Sequence, residues 1–186
     1  VDLVPAFLEV AHFLNERTEL SGHLTLVQGD ALALPFQDAS FDCAWTQHVA
    51  MNIADRETFL SEIARVLRPG GSLAIYDVLS GNGQPLLFPL PWASRPEESH
   101  LVFPDEMRTI LTQAGFQMVV WETKSAACLE WLEARKKVSP RKDSSALALT
   151  AVMGERFPLL TSNLEQNLRD GRVEIVQAVF RKAERK

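Results

Sequence analysis

Only two cysteines, Cys43 and Cys128, occur in 186 residues. They can form neither a disulfide framework nor a cysteine metal cluster, so free thiols in a reducing cytoplasm are the expectation. An excess of basic charge is also missing. Lysine and arginine total 19 against 24 acidic residues, a net charge of −5, which leaves no electrostatic footprint for nucleic acid. The run Arg135-Lys136-Lys137 with Arg141-Lys142 reads as a solvated helix end and loop. No apolar run approaches the roughly 18 residues of a membrane span, and no basic–apolar signal opens the chain. His12, His23 and the two cysteines lack metal-ligand spacing, so no metal is expected. There are no repeats, and no G-x-G-x-G pattern occurs anywhere.

What is present is patterning for one α/β domain. Hydrophobic residues make up 46% and charged residues 23%, ordinary values for a chain able to bury one real core. Pro5 to Thr18 reads as a helix, with proline in the first turn and Phe7, Val10, Ala11 and Leu14 at helical spacing. Ser21-Gly22-His23 breaks it before a short strand, Leu24 to Gln28. A second strand runs from Phe41 to Thr46. After a loop through Val49, Asp55 caps a helix whose apolar face is Phe59, Leu60, Ile63, Val66 and Leu67, and Arg68-Pro69-Gly70-Gly71 ends it. Ser72 to Leu79 is almost continuously apolar, as in a strand buried on both faces.

Residues 80–103 differ. Gly81, Gly83, Pro85, Pro89, Pro91 and Pro96 exclude regular structure, yet Leu86, Leu87, Phe88, Leu90 and Trp92 are too apolar for idle solvent. A loop of about two dozen residues in a compact domain is usually functional or disordered, and this one reads as a wall over a ligand site. Beyond it come a helix from Pro104 to Ala114, a strand from Phe116 to Lys124 and an amphipathic helix from Ala126 to Lys137. A polar break at 139–145 precedes helices at 147–153 and from Phe157 to Asp170, and Val173 to Arg181 is a closing strand. Strands alternating with helices imply a mostly parallel sheet covered on both faces. Ligands sit at the carboxyl ends of such strands, which places Gly29-Asp30 and Thr46-Gln47-His48 side by side on the ligand-facing edge.

Three ordered motifs carry a resemblance: Gly29-Asp30-Ala31-Leu32-Ala33-Leu34-Pro35-Phe36, then Ser40-Phe41-Asp42, then Val66-Leu67-Arg68-Pro69-Gly70-Gly71-Ser72-Leu73. The series resembles the class I S-adenosylmethionine-dependent methyltransferases, in the small-molecule branch that includes ubiquinone/menaquinone and sarcosine–dimethylglycine methyltransferases. It covers nearly the whole chain; it is specific for the family and says little about the substrate. It implies a Rossmann-like doubly wound α/β fold with an antiparallel final strand. It also implies methyl transfer from S-adenosylmethionine to a nitrogen, oxygen, sulfur or carbon of a small molecule, leaving S-adenosylhomocysteine. Family members open with a strand, a glycine-rich loop, a helix and a second strand closed by an acid. Asp2 matches that acid, so the chain is expected to be a truncated, C-terminal portion, incomplete at the N-terminus. Residues 1–186 then form a single domain, with 80–103 as pocket loop and 126–170 as helical insertion. The sheet left bare, covered by a homo-oligomer, would make the isolated chain poorly active.

The resemblance also implies roles for single residues. Asp2 would hydrogen-bond the ribose diol; as a terminal residue it can also simply fray. Asp30 would accept from the adenine amine while the Ala31 N–H donates to a ring nitrogen, although Asp30 can equally cap a turn. Leu32, and after it Phe36, would flank the adenine plane, or both would pack in the core. Gln47 would touch the cofactor or orient the nucleophile, and His48 would take a proton from the acceptor; a hydrogen-bonded structural histidine is the plainer alternative. Met51 and Asn52 follow in the substrate pocket. Tyr76 and Asp77 would bind a cationic amine or cap a loop. Trp92 would offer an aromatic wall to a methyl-accepting cation, or pack in the core, and His100 is a lesser candidate in the same loop. Two other readings are a methyltransferase-fold remnant that binds no cofactor and a hydride-transferring nucleotide enzyme. The spacing of Arg68-Pro69-Gly70-Gly71 disfavours the latter.

Overall fold

The computed structural model describes residues 1–18, 20–137 and 154–184. The expected polar break at 139–145 and the helix at 147–153 lie outside the described residues. Strands β1 (Phe41–Gln47), β2 (Leu67–Ser80), β3 (Phe116–Thr123) and β4 (Val173–Lys182) form one sheet in the order β1-β2-β4-β3. β1 and β2 pair in parallel, whereas β4 pairs antiparallel with both β2 and β3. Three strands therefore run one way and the last runs back, the arrangement the resemblance implies. Helices α1 (Pro5–Arg17), α2 (Arg56–Val66), α3 (Pro104–Gln113), α4 (Ser125–Lys137) and α5 (Phe157–Arg169) and two single 3-10 turns, Ala50–Asn52 and Pro96–Glu98, complete the described elements; the latter is a short regular turn inside the 80–103 loop.

Alternation along the strands sorts the two faces. On one, Leu73, Ile75 and Leu79 of β2 and Val176, Ala178 and Phe180 of β4 join a core with Phe59, Leu60 and Ile63 of α2 and Met107 and Leu111 of α3. On the other, Val78, Val173 and Ile175 meet Leu164 and Leu168 of α5 and Leu129 and Leu132 of α4. That second layer lies where β2 ends and β4 begins, and further along the same face Trp45 of β1 remains 70% exposed.

α2 forms where its cap predicts. Asp55 accepts the Thr58 N–H at 3.0 Å and the Thr58 hydroxyl at 2.7 Å, satisfying a first-turn donor. The helix stops one residue early: Leu67, fully buried, opens β2 instead of closing α2. Arg68-Pro69-Gly70-Gly71 lies within the start of β2, where the register with β1 slips between Phe41 and Cys43. Gly70 has φ +76, and a Cβ on Gly71 would approach the Arg68 carbonyl to 2.9 Å, so this turn requires both glycines.

Leu24 to Gln28 is not a strand. Its pairing is a single parallel bridge between Asp2 and Gln28, with Asp2 N–H donating to Val27 O (3.2 Å) and Gly29 N–H to Asp2 O (3.1 Å). A ladder needs a neighbour along its length, and here only the first residues lie alongside. α1 shows the same limit: Phe7, Val10 and Leu14 recur at helical spacing but are 65%, 58% and 51% exposed.

Candidate active site

β1 and β2 end side by side with Gln47 opposite Tyr76, and His48 follows at φ +54. A non-glycine residue in the left-handed region is uncommon and strained, so its surroundings must hold it there. The His48 N–H donates to the Tyr76 carbonyl at 2.9 Å, and the two rings meet edge to face with centroids 5.1 Å apart. Burial lowers the His48 pKa, partly opposed by the charge of Asp77. The imidazole is therefore mostly neutral near pH 7 and keeps a lone pair for a proton.

Tyr76 and Asp77 do not act together, because adjacent strand residues face opposite ways. Tyr76 lines a cavity. Asp77 is fully buried on the α2/α3 face; its Oδ2 accepts the Ala50 N–H at 2.7 Å and its Oδ1 the Val78 N–H at 2.8 Å. Burial raises its pKa, against those hydrogen bonds and the charges of Arg56 and His48. Arg56 is buried as well. Its Nη2 donates to the His100 carbonyl at 2.6 Å, while Nε and Nη1 have no hydrogen-bond partner among the described residues. Asp77 thus pins the short turn at 50–52, which carries Met51 and Asn52, to the end of β2.

The cavity has a volume of about 1140 Å³ and lies between the ends of β1 and β2, the 80–103 loop, α4 and α5. Gln47, His48, Met51, Asn52 and Trp92 all line it. Trp92 donates its indole N–H to Ser99 Oγ at 3.0 Å. His100 contributes only backbone, its N–H donating to Met51 O at 3.0 Å. Residues that sequence reasoning missed hold the loop in place. Asn167, fully buried in α5, accepts the Leu87 N–H at 2.9 Å and donates to Leu87 O at 3.0 Å, and Asn163 donates to Pro89 O at 3.0 Å. Two asparagines four apart among leucines were the available signal. Gln177, also missed, is a polar residue within the apolar strand β4 and lines the cavity.

Asp2, Asp30, Ala31 and Leu32 are not among the lining residues. Asp30 does cap a turn: its Oδ1 accepts the Leu32 N–H at 2.8 Å. Its Oδ2 and the Ala31 N–H show no hydrogen bond among the described residues. Ala31 and Leu32 pack on the core, and the following chain is clamped to α2. Glu62 accepts the Leu34 N–H at 2.8 Å, and Arg65 donates to Leu34 O, Phe36 O and Asp38 at 2.7–2.9 Å. Arg65 also donates to Glu62 at 2.7 and 2.8 Å, and the bonds to Glu62 and Asp38 raise its pKa. Asp2 accepts the Val4 N–H on Oδ1 at 2.8 Å and sits beside Gln28 through the bridge. Among the described residues no group of three or more His, Cys, Asp or Glu could hold a metal ion, and no helix is long and apolar enough to cross a membrane.

Residues 1–75 match the family described as a methyltransferase domain. The chain is 30% identical over 162 residues to the O-methyltransferase cnsE of Penicillium expansum, covering 86% of this chain and 55% of that protein. It is 31% identical over 145 residues to the ubiquinone/menaquinone biosynthesis C-methyltransferase UbiE of Paracoccus denitrificans, covering 67% and 58% respectively. By these matches the chain is similar to the class I S-adenosylmethionine-dependent methyltransferases. A putative sarcosine dimethylglycine methyltransferase from Galdieria sulphuraria has the same fold, with a TM-score of 0.71 at 20% identity over 98% of this chain and 69% of that one. The chain spans about half the length of the curated relatives it matches.

For a methyltransferase of this class the donor set fits an adenosyl group. Asp30 Oδ2 and the adjacent Ala31 N–H present an acceptor beside a donor, the complement of the adenine amine and its neighbouring ring nitrogen. Asp2 Oδ2 accepts no hydrogen bond among the described residues, an acceptor of the kind a diol would need.

Proposed function

We propose that the chain forms the acceptor site and part of the cofactor cradle of an enzyme that methylates a hydroxyl oxygen of a largely apolar small molecule. The observation that carries this reading is His48: a neutral imidazole, held in a strained conformation at the end of β1, in the wall of the large cavity. The likeness to a protein named as an O-methyltransferase supports oxygen as the methylated atom. Residues 1–186 act as one domain in this reading, with 80–103 as pocket loop and the helical insertion 126–170 contributing α4 and α5 to the acceptor wall. Asp2 holds the ribose, Asp30, Ala31 and Leu32 hold adenine, and Gln47 orients the acceptor. When bound, S-adenosylmethionine supplies the electrophilic methyl group. His48 accepts the hydroxyl proton as the oxygen takes the methyl, and S-adenosylhomocysteine remains. Met51, Asn52 and Trp92 fix the acceptor against the turn, and such positioning can account for about 7–11 kcal/mol of a barrier. We place the enzyme in the cytoplasm, in keeping with its two free thiols. The bare face around Trp45 is read as the contact with a second copy.

Calorimetry with S-adenosylmethionine tests the cradle. A charge-assisted hydrogen bond contributes about 1.5–3 kcal/mol, so Asp30→Ala weakens binding roughly 10- to 100-fold. Unchanged affinity disposes of the adenine assignment. No binding by the unaltered protein favours a remnant that does not bind the cofactor.

A further inference from the structure

We infer that the acceptor is a bulky aromatic hydroxyl compound, uncharged or anionic, and that the site turns ammonium compounds away. This rests on the cavity being the acceptor site. The polar groups at its floor are neutral. Gln47, Tyr76 and Gln177 stand at one register across β1, β2 and β4, and His48 follows directly. Burial raises the Tyr76 pKa, keeping the phenol a neutral donor.

The charges on the lining are already committed or of the wrong sign for an ammonium ion. The carboxylate in the wall, Glu165, receives two hydrogen bonds from Arg169, at 2.9 and 3.1 Å. Asp77, fully buried, is outside the lining and spends its oxygens on Ala50 and Val78. Two cations line the cavity: Lys124, paired with Glu122, and Arg135, stacked 4.7 Å from the centre of the Trp131 ring. Among the described residues, no carboxylate of the lining is without a cation already on it. An ammonium ion entering would lose its hydration without gaining a free counter-charge, and it would meet the guanidinium of Arg135. The Trp131 face that would otherwise attract a cation is occupied by Arg135.

Size points the same way. At about 1140 Å³ the cavity exceeds the roughly 300–1,000 Å³ typical of drug-sized ligands, far more than a methylated amino acid fills. Trp92 and Phe157 offer rings against which a fused aromatic can pack.

The test uses three probes on one ring system, 2-naphthol, 2-naphthoate and 2-naphthylmethylammonium, titrated into the 186-residue protein without cofactor and followed by fluorescence and calorimetry. Naphthol and naphthoate are expected to bind at least tenfold more tightly than the ammonium probe. Trp92→Ala or Phe157→Ala, each checked for an unaltered circular dichroism spectrum, should weaken naphthol at least fivefold, locating it in the cavity. Equal or tighter binding of the ammonium probe, no binding of any probe, or indifference to both substitutions overturns the inference. Because the probes bind without S-adenosylmethionine, failure of cofactor binding alone would sink the proposed methyl transfer and leave this preference standing.

Discussion

Replacing Asp77 with asparagine tests how the turn after β1 is held. The carboxylate accepts two backbone N–H groups, from Ala50 at 2.7 Å and Val78 at 2.8 Å, in a site with no solvent access. Asparagine is nearly the same size but keeps one acceptor oxygen; its amide nitrogen must face the other N–H, donor to donor. Leaving one buried donor unmet costs about 1–3 kcal/mol. For a domain of this length, a loss of 1 kcal/mol lowers Tm by about 2–4 °C, so the melt should fall by roughly 2–12 °C. The pH dependence is more specific. Burial raises the Asp77 pKa, so the native state holds that proton more firmly than the unfolded chain. Wild-type stability therefore falls as pH rises from the ordinary carboxylate value through the raised one, and the substitution removes that slope. Its cost is accordingly larger below this window than above it. Asp77 also raises the His48 pKa against the larger lowering by burial, so Asp77→Asn moves the His48 titration to lower pH. Thermal melts at several pH values and an NMR titration of the imidazole read both effects. An unchanged melt, or a His48 midpoint that stays or moves upward, refutes the argument.

His48→Gly should separate strain from chemistry: a left-handed position costs an L residue about 1–2 kcal/mol that glycine avoids, so chemical denaturation should show little or no loss of stability. Hydroxyl methylation should nevertheless fall by about 10²–10⁴-fold with the proton acceptor gone. Wild-type stability contributed at this site is present above the ordinary histidine value of 6.5 and lost as pH falls toward the lowered one; the glycine variant should lack that step. Asn167→Leu strips the Leu87 N–H and C=O of their partner, costing about 2–5 kcal/mol in urea unfolding, and any residual activity should show a higher KM for the acceptor with the affinity for S-adenosylmethionine unchanged. Leu111→Ala, at a site with no exposure in α3, should cost about 2–5 kcal/mol with no change in cofactor affinity; a loss below about 1 kcal/mol would show that the core closes over the gap.

What the sequence reveals, and what it does not, divides along the range of the interactions. Asp55 caps α2 because its partner Thr58 is three residues away, and the apolar run of β2 needs no information from elsewhere. The reversed β4 follows from the family likeness alone, since the residues around it permit either direction. Leu24 to Gln28 has the composition of a strand yet makes one bridge, because a ladder depends on a neighbour that composition does not report. The grouping of Tyr76 with Asp77 fails for a reason visible in advance: a period of two sends consecutive residues to opposite faces. Asn167 could not be paired with Leu87 from the sequence, since 80 residues separate them. Its only trace was a polar spacing within an apolar helix stripe.

The same division explains how His48 comes to be placed. A residue held at φ +54 cannot rely on its own backbone preference, so other elements must supply the constraint. The constraint comes from consecutive residues of β2: the Tyr76 carbonyl receives the His48 N–H, and the Asp77 carboxylate receives the Ala50 N–H two residues further on. Because the strand alternates, one of these neighbours also faces the cavity while the other is sealed in the core. The backbone at His48 is thus held from β2, once in register with β1, and the cavity walls add the bond from the His100 N–H to Met51 O. Loosening those walls, as in Asn167→Leu, should therefore alter how the acceptor is gripped, whereas altering Asp77 should alter the base itself.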